Sequence, residues 1–139
     1  MEGKRLVIDH VGVGVRDYDE SVAFYSAALA PLDLQLVALT GGDNRAAGFG
    51  RKGQDAFWIH EGRPAGRAHI AFEAASREQV DGFYAAAIEA GARDNGAPGL
   101  RTEYSASYYA AYVLDPNGNN IEAVHHGEAP SGKGHEVAR

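Results

Sequence analysis

Cysteine is absent from this sequence of 139 residues, and methionine and tryptophan occur once each. The lack of cysteine excludes a disulfide framework, a cysteine-ligated zinc site and a catalytic thiol. Because cysteine-free composition fits a reducing compartment, we expect a cytoplasmic location.

Long apolar runs and basic clusters are also missing. No apolar run of about 18 residues occurs, and residues 1–15 carry too many charges for a signal peptide. The net charge is −6, and no basic run is longer than Arg51-Lys52. Since phosphate backbones are bound by basic surfaces, we expect neither nucleic acid nor a membrane as a partner.

The sequence contains an internal repeat. Two alternating stretches each begin with a histidine, at His10 and at His69, and lie 59 positions apart. The same offset aligns the residues that should start and face a helix in each half. The aligned pairs are Asp17 with Ser76, Glu20 with Gln79, Phe24 with Phe83, Tyr25 with Tyr84, and Leu29 with Ile88.

Each half of the repeat predicts a strand, a helix and three further strands. The fold class is therefore α+β, with two tandem βαβββ modules at about 6–60 and 67–126 inside one domain, 1–126, followed by a polar tail, 127–139. The predicted strands are 6–15, 33–39, 45–50, 54–60, 67–74, 92–97, 108–114 and 119–126, and the predicted helices are 17–30 and 76–90.

Strand alternation places three potential metal ligands on one surface. In the first strand of each module the apolar residues should face the helix, which leaves His10 and His69 on the opposite face. Glu122 lies between Ile121 and Ala123 in the last strand and should share that face. Two imidazoles and a carboxylate can hold a divalent ion and leave positions open for a substrate. The alternatives are histidines that are hydrogen-bonded core or rim residues, and a buried Glu122 paired with Arg or His.

The same three residues lie in segments that resemble a known family. These segments are Ile8–Asp17 with Phe24-Tyr25, Ala68–Phe72, and Leu114–Glu122. They are similar to the vicinal oxygen chelate superfamily, which contains glyoxalase I, extradiol dioxygenases, fosfomycin-modifying transferases and bleomycin-binding proteins. The resemblance implies a cup-shaped mixed sheet around a divalent metal held by His10, His69 and Glu122.

Departures from the family patterns limit the chemistry. Glyoxalase-like members add a fourth ligand from the last strand of the first half, and matching Ile59-His60 to Ile121-Glu122 puts His60 near that position. A solvated end-of-strand role for His60 is the alternative. Extradiol dioxygenases have a tyrosine ten positions before the ligand glutamate, which Tyr112 matches, and a histidine before that tyrosine, which is missing here.

We therefore predict a metal-dependent enzyme that acts on a small oxygen-chelating substrate, with lyase or isomerase chemistry favoured. The ion could be Fe, Mn, Ni, Zn or Mg, since such sites accept several metals. Tyr112 and His60 are the candidate catalytic residues, and a homodimer is expected. The alternatives are a non-catalytic small-molecule binding protein of the bleomycin-resistance kind and an extradiol-type dioxygenase.

Four other side chains each fit two roles. Tyr108 and Tyr112 should share a face, where they form either a pocket wall or cross-strand packing. Trp58 fits the core and the pocket equally well. Arg101 is expected at the solvated surface, with binding of a substrate anion as the alternative.

Overall fold

The structure is a computed structural model that describes residues 7–64 and 66–127. It confirms the α+β fold with two tandem βαβββ modules. The first module contains β1 (Val11–Val15), α1 (Tyr18–Ala28), a short 3-10 turn (Ala30–Leu32), β2 (Gln35–Thr40), β3 (Ala46–Arg51) and β4 (Gln54–Glu61). The second contains β5 (His69–Glu73), α2 (Arg77–Glu89), β6 (Arg93–Leu100), β7 (Tyr109–Leu114) and β8 (Asn120–His125).

The start of the first strand differs from the sequence-based expectation. The prediction of 6–15 becomes a strand that begins at Val11, so His10 lies just before β1 rather than within it. The predicted tail, 127–139, lies outside the described residues except for Gly127.

Both helices begin at the capping residues that the repeat aligned. The Asp17 side chain accepts a hydrogen bond from the Glu20 amide at 3.0 Å, and Ser76 Oγ accepts one from the Gln79 amide at 3.1 Å. Each bond satisfies an amide that the first helical turn leaves without a partner. Gly91, at φ 110°, follows the end of α2, a position that favours glycine.

Each module forms its own four-stranded mixed sheet. The strand orders are β1-β4-β3-β2 and β5-β8-β7-β6, with β1 parallel to β4 and β5 parallel to β8. The two sheets are separate and neither closes into a barrel. The first strand of each module, β1 or β5, is therefore an edge strand.

The core lies between the two sheets and contains both helices. Val15 and Phe57 from the first module and Ala74 and Ile121 from the second are buried in one continuous cluster. The Phe57 ring meets the Phe72 ring at 5.3 Å between centroids, so the apolar faces of the two modules join. We call the opposite face of each sheet its far face. On the second sheet the far face carries His69 and Glu122, as the alternation predicts.

No helix within the described ranges is long and apolar enough to cross a membrane.

Candidate functional site

Glu122 is the centre of a hydrogen-bonded cluster on the far face of the second module. Its side chain is buried, with Oε1 2.8 Å from His69 Nε2, and Oε2 accepts a hydrogen bond from the Tyr108 hydroxyl at 2.6 Å. The register explains the first contact, because Glu122 pairs with Ala71 in the parallel ladder and His69 lies two residues earlier on the same face. We call Glu122, His69 and Tyr108 the carboxylate cluster.

Both carboxylate oxygens of the buried Glu122 have hydrogen-bond partners within the carboxylate cluster. Because an unpaired buried carboxylate is costly, the sequence favoured a metal ion as its compensation. In the structure His69 and Tyr108 provide partners for both oxygens, as in the alternative reading of a carboxylate paired with histidine. More than half of the His69 side chain is exposed, so this imidazole lies at the surface while the carboxylate lies beneath it.

Tyr112 lies beside the carboxylate cluster. It pairs with Glu122 in the antiparallel ladder of β7 and β8, and its ring centroid is 6.5 Å from that of His69. Burial, followed by the negative charge of Glu122, raises the pKa of the Tyr112 hydroxyl above its ordinary value, and the Arg101 guanidinium partly opposes this increase. Tyr112 therefore keeps its proton at neutral pH and can donate a hydrogen bond, whereas it cannot serve as a base.

Arg101 is a residue of this region that the sequence analysis placed at the solvated surface. It is half-buried, its guanidinium carbon lies 5.3 Å from the centroid of the Tyr112 ring, and Nη2 donates to the Ala97 carbonyl at 2.6 Å. A Cβ on Gly96 would lie 2.9 Å from Tyr112 Cδ1 and 3.3 Å from Arg101 Nη2. The two glycines Gly96 and Gly99 on β6 are therefore the sequence signal that the large side chains of Tyr112 and Arg101 pack over this strand.

Tyr108 also has a more specific role than the sequence indicated. Its hydroxyl binds Glu122, and its ring contacts that of Tyr104 at 5.0 Å between centroids. Tyr104 lies in the loop between β6 and β7, which turns back when the Arg101 amide donates to the Tyr108 carbonyl at 2.7 Å. This loop covers one end of the carboxylate cluster.

His10 is not brought to the carboxylate cluster within one chain. It is exposed, and its Nδ1 lies 2.8 Å from Asp9 Oδ1. Across residues 7–64 and 66–127, no three His, Asp or Glu side chains are grouped so that they could hold a metal ion. His69 and Glu122 are therefore a pair, and the third predicted ligand lies on the other module.

The strand registers identify which residue of the first module corresponds to Glu122. His10 and His69 precede Gly12 and Ala71 by two residues each; Gly12 pairs with Trp58 on β4 and Ala71 pairs with Glu122 on β8. Trp58 thus occupies the position equivalent to Glu122. The alignment of His60 with Glu122 differs from the strand registers by two residues, because the apolar residues next to His60 and Glu122 do not by themselves fix how β4 and β8 align.

His60 nevertheless lies on the far face of the first module. It pairs with Gly14, and a Cβ on Gly14 would lie 3.4 Å from His60 Cε1. The side chain is exposed at the end of β4, next to the Trp58 position rather than at it. This location is compatible with both interpretations from the sequence, a base at the site and a solvated histidine.

Comparison with known proteins supports the family resemblance. The model of the glyoxalase/bleomycin resistance protein/dioxygenase superfamily matches residues 7–123. A glyoxalase/bleomycin resistance protein from Albidiferax ferrireducens T118 is 33% identical, with a TM-score of 0.71 and coverage of 88% of this chain and 100% of that chain. The chain belongs to this superfamily.

More distant superfamily members share the fold. Glyoxalase I from Zea mays is 17% identical with a TM-score of 0.66, and the match covers 88% of this chain and 46% of the maize chain. A variant of the fosfomycin resistance protein FosX from Listeria monocytogenes, in complex with Mn(II) and a dihydroxypropylphosphonic acid, is 18% identical, with a TM-score of 0.59 and coverage of 84% and 87%. No significant match was found among curated proteins.

The donor atoms of this superfamily member fit a divalent ion in part. A histidine nitrogen and a carboxylate oxygen 2.8 Å apart are ligand types that Fe, Mn, Ni and Zn accept, and one ion could bind both. Two ligands from one chain do not complete the three-ligand set that the resemblance implies. The described residues of one chain therefore bring together two of the three ligands. His10 would have to reach this pair from outside the carboxylate cluster to complete the set.

Proposed function

We propose that the protein is a divalent-metal-dependent enzyme that acts on a small molecule with neighbouring oxygen atoms, with lyase or isomerase chemistry favoured. The observation that carries this proposal is the pair formed by His69 and Glu122, whose donor atoms are 2.8 Å apart on the far face of the second module. Superfamily membership adds that relatives with this fold include glyoxalase I.

The proposal includes a homodimer in which His10 of one copy completes the pair of the other. His10 lies directly before β1, an edge strand, and His69 begins β5, the corresponding edge strand. Unpaired strand edges are usually covered in native proteins, and two-fold dimers are the commonest assembly. Val7 and Ile8, two apolar residues beside His10, are 98% and 66% exposed, which favours burial of this segment against a second copy.

The side chains around the pair have distinct tasks in this proposal. A bound divalent ion would supply Lewis-acid polarisation of substrate oxygens. Tyr112 keeps its proton and donates a hydrogen bond to a substrate oxygen, because its hydroxyl pKa is raised. Arg101 holds a positive charge over the Tyr112 ring, where it stabilises negative charge on the substrate. His60 is the candidate base of the first module.

Two better known activities of the superfamily are not proposed. The glyoxalase-type fourth ligand would come from the position equivalent to Glu122, which Trp58 occupies. The histidine that extradiol dioxygenases use before the tyrosine is also missing, since Tyr104, Ser105 and Ala106 fill that window. We expect low activity on hemithioacetals and catechols, measured by a screen of the metal-loaded protein against both substrate classes.

A second candidate function is non-catalytic binding of a small molecule. It is favoured by the carboxylate cluster itself, because Glu122 has partners for both oxygens without an ion. Under this alternative, Glu122 is structural and the far faces sequester a ligand.

Metal binding by variants separates the two functions. We expect close to one equivalent of metal per chain, and an affinity loss of at least about tenfold for each of Glu122→Ala, His69→Ala and His10→Ala. Glu89→Ala, which removes an exposed carboxylate at the end of α2, is the matched control and should bind metal normally. A lack of metal uptake by the wild type would support the binding alternative, and near-stoichiometric metal in Glu122→Ala would show that this carboxylate is structural.

Mixing two defective variants tests the shared site. In the proposed dimer, His10→Ala and Glu122→Ala each destroy both sites, whereas a mixed dimer has one site with all ligands intact. Unfolding and refolding the two variants together should restore roughly a quarter of the sites, since random pairing makes half of the dimers mixed. No restoration would show that all ligands come from one chain.

A further inference from the structure

Two aromatic side chains of β4 lie on the far face of the first module. Trp58 and His60 alternate along β4 and point to this face. A Cβ on Gly48, across the ladder from Trp58, would lie 2.7 Å from Trp58 Cζ2, and a Cβ on Gly14 would lie 3.4 Å from His60 Cε1. Gly48 therefore gives the Trp58 ring the space it occupies, whereas the nearest atom to a Cβ on Gly14 would be the Arg63 carbonyl oxygen, at 3.0 Å.

The Trp58 ring is fixed in place and only partly covered. Its Nε1 donates to the Asp55 carbonyl at 3.0 Å, which satisfies the one polar atom of the indole. The side chain is half-buried. The part of the ring that remains accessible is thus apolar and aromatic.

The position of Trp58 is the one that Glu122, a metal ligand in the proposed function, holds in the second module. In the second module the equivalent residue is Glu122, whose carboxylate is 2.8 Å from His69. An indole has no lone pair for a metal ion, since its nitrogen is only a donor. The first module therefore offers His10 as a ligand and, on its far face, the flat apolar surface of the Trp58 ring.

We propose that Trp58 is a specificity-determining wall of the substrate site, which selects ligands that carry a planar ring next to their chelating oxygens. This inference rests on the proposed function, in which a second copy brings the far face of the first module to the carboxylate cluster. Planar rings gain from stacking or edge contacts with an indole beyond the area they bury, by about threefold to tenfold in affinity. Saturated rings of similar size lack this gain.

Two probes of similar size differ in the planarity of their ring. Mandelate and hexahydromandelate carry the same α-hydroxy acid group, but the first has a phenyl ring and the second a cyclohexyl ring. Dissociation constants of both are measured by calorimetry on the Mn²⁺-loaded dimer. Because Trp58 is the only tryptophan of the chain, its emission reports binding at this position directly.

The variants Trp58→Leu and Trp58→Phe separate ring from volume, with Tyr84→Leu on α2 as the control outside the far face. We expect the wild type to prefer mandelate by about threefold to tenfold, Trp58→Phe to keep most of this preference, and Trp58→Leu to lose it while Mn²⁺ uptake is unchanged. Mandelate should also change the Trp58 emission of the wild type, a measurement that needs no variant to fold.

Three results would overturn the aromatic wall: equal affinity of the wild type for both probes, a preference retained by Trp58→Leu, or an unchanged Trp58 emission with mandelate bound. Failure of the proposed function has a different signature, because it appears as a lack of Mn²⁺ uptake by the wild type before any probe is added. That outcome would overturn both the proposed function and the role of Trp58 that depends on it.

Discussion

The two modules have the same topology but opposite chemistry on their far faces. One row of paired residues across the first sheet reads Gly12, Trp58, Gly48 and Ala38. The equivalent row across the second sheet reads Ala71, Glu122, Tyr112 and Gly96. Each row contains one large aromatic ring that is paired with a glycine, Trp58 with Gly48 and Tyr112 with Gly96. The two rings are on different strands of their sheets.

The difference shows how a duplicated fold can become a site with unequal halves. In the first module the ring is Trp58 on β4, the second strand of the sheet. In the second module the ring is Tyr112 on β7, the third strand, so the position on the second strand, β8, is free for the carboxylate of Glu122. The first module keeps a ring there and so lacks the carboxylate. Because the backbone registers are the same, single substitutions should be able to convert one module's chemistry into the other's.

The largest expected effect comes from converting the first module. Trp58→Glu places a carboxylate opposite Gly12, at the register position that Glu122 holds opposite Ala71. We expect metal affinity to increase by about tenfold to a hundredfold, because a further anionic oxygen ligand is added. Competition with a fluorescent chelator measures the change.

His60→Glu is the matched control for this conversion. It adds the same charge two residues away on the same strand and face, so a general electrostatic gain would appear in both variants. An equal increase in the two would contradict the assignment of Trp58 to the ligand position. Far-ultraviolet circular dichroism of both variants checks that they fold.

A second comparison concerns two tyrosines that the repeat aligns. Tyr25 is fully buried and its hydroxyl donates to Asp115, whereas Tyr84 donates to the exposed Asp94 at 3.0 Å. Tyr25→Phe should lower the free energy of unfolding by about 1–2 kcal/mol, because it removes a hydrogen bond to a buried charged group. Tyr84→Phe should cause no measurable change in urea unfolding. Similar losses in both would show that the hydrogen bond of Tyr25 is not what matters.

Much of the fold could be predicted from the sequence because the repeat carried it. The offset that joins His10 to His69 also aligned the helix caps at Asp17 and Ser76, and both caps form as expected. Strand alternation then placed His69 and Glu122 on the same face, since the pleat period is two. These features depend on short-range rules, which a single sequence contains.

The rest of the site depends on relations between strands that alternation does not fix. Parity put Trp58 and His60 on one face, but only the ladder between β1 and β4 shows which of them matches Glu122. Arg101 and Tyr108 reach the carboxylate region through a loop whose course no periodicity predicts. The separation of His10 from Glu122 depends on how two edge strands are arranged, which the repeat leaves open.

A smaller effect should follow from filling the space beneath the Trp58 ring. Gly48→Ala puts a methyl group 2.7 Å from Trp58 Cζ2, so the ring must shift, and we expect a loss of about 1 kcal/mol in the free energy of unfolding together with a shifted Trp58 emission. Gly12→Ala is the control in the same row, because its nearest neighbour, Trp58 Cβ, lies 3.7 Å away. Equal effects of Gly48→Ala and Gly12→Ala would argue against close packing of the Trp58 ring on Gly48.

The smallest expected effect is a pH dependence that distinguishes the buried tyrosine. Burial, and then the negative charge of Asp115, raise the pKa of the Tyr25 hydroxyl well above its ordinary value. The folded protein therefore keeps this proton at a pH where the unfolded chain has lost it, so the stability that Tyr25 contributes is complete below about pH 10 and decreases above it. The difference in unfolding free energy between wild type and Tyr25→Phe should be constant from about pH 7 to 9 and shrink by less than about 1 kcal/mol by about pH 10.5. A difference that grows with pH over that range would mean that Tyr25 ionises more easily in the folded protein than in the unfolded chain.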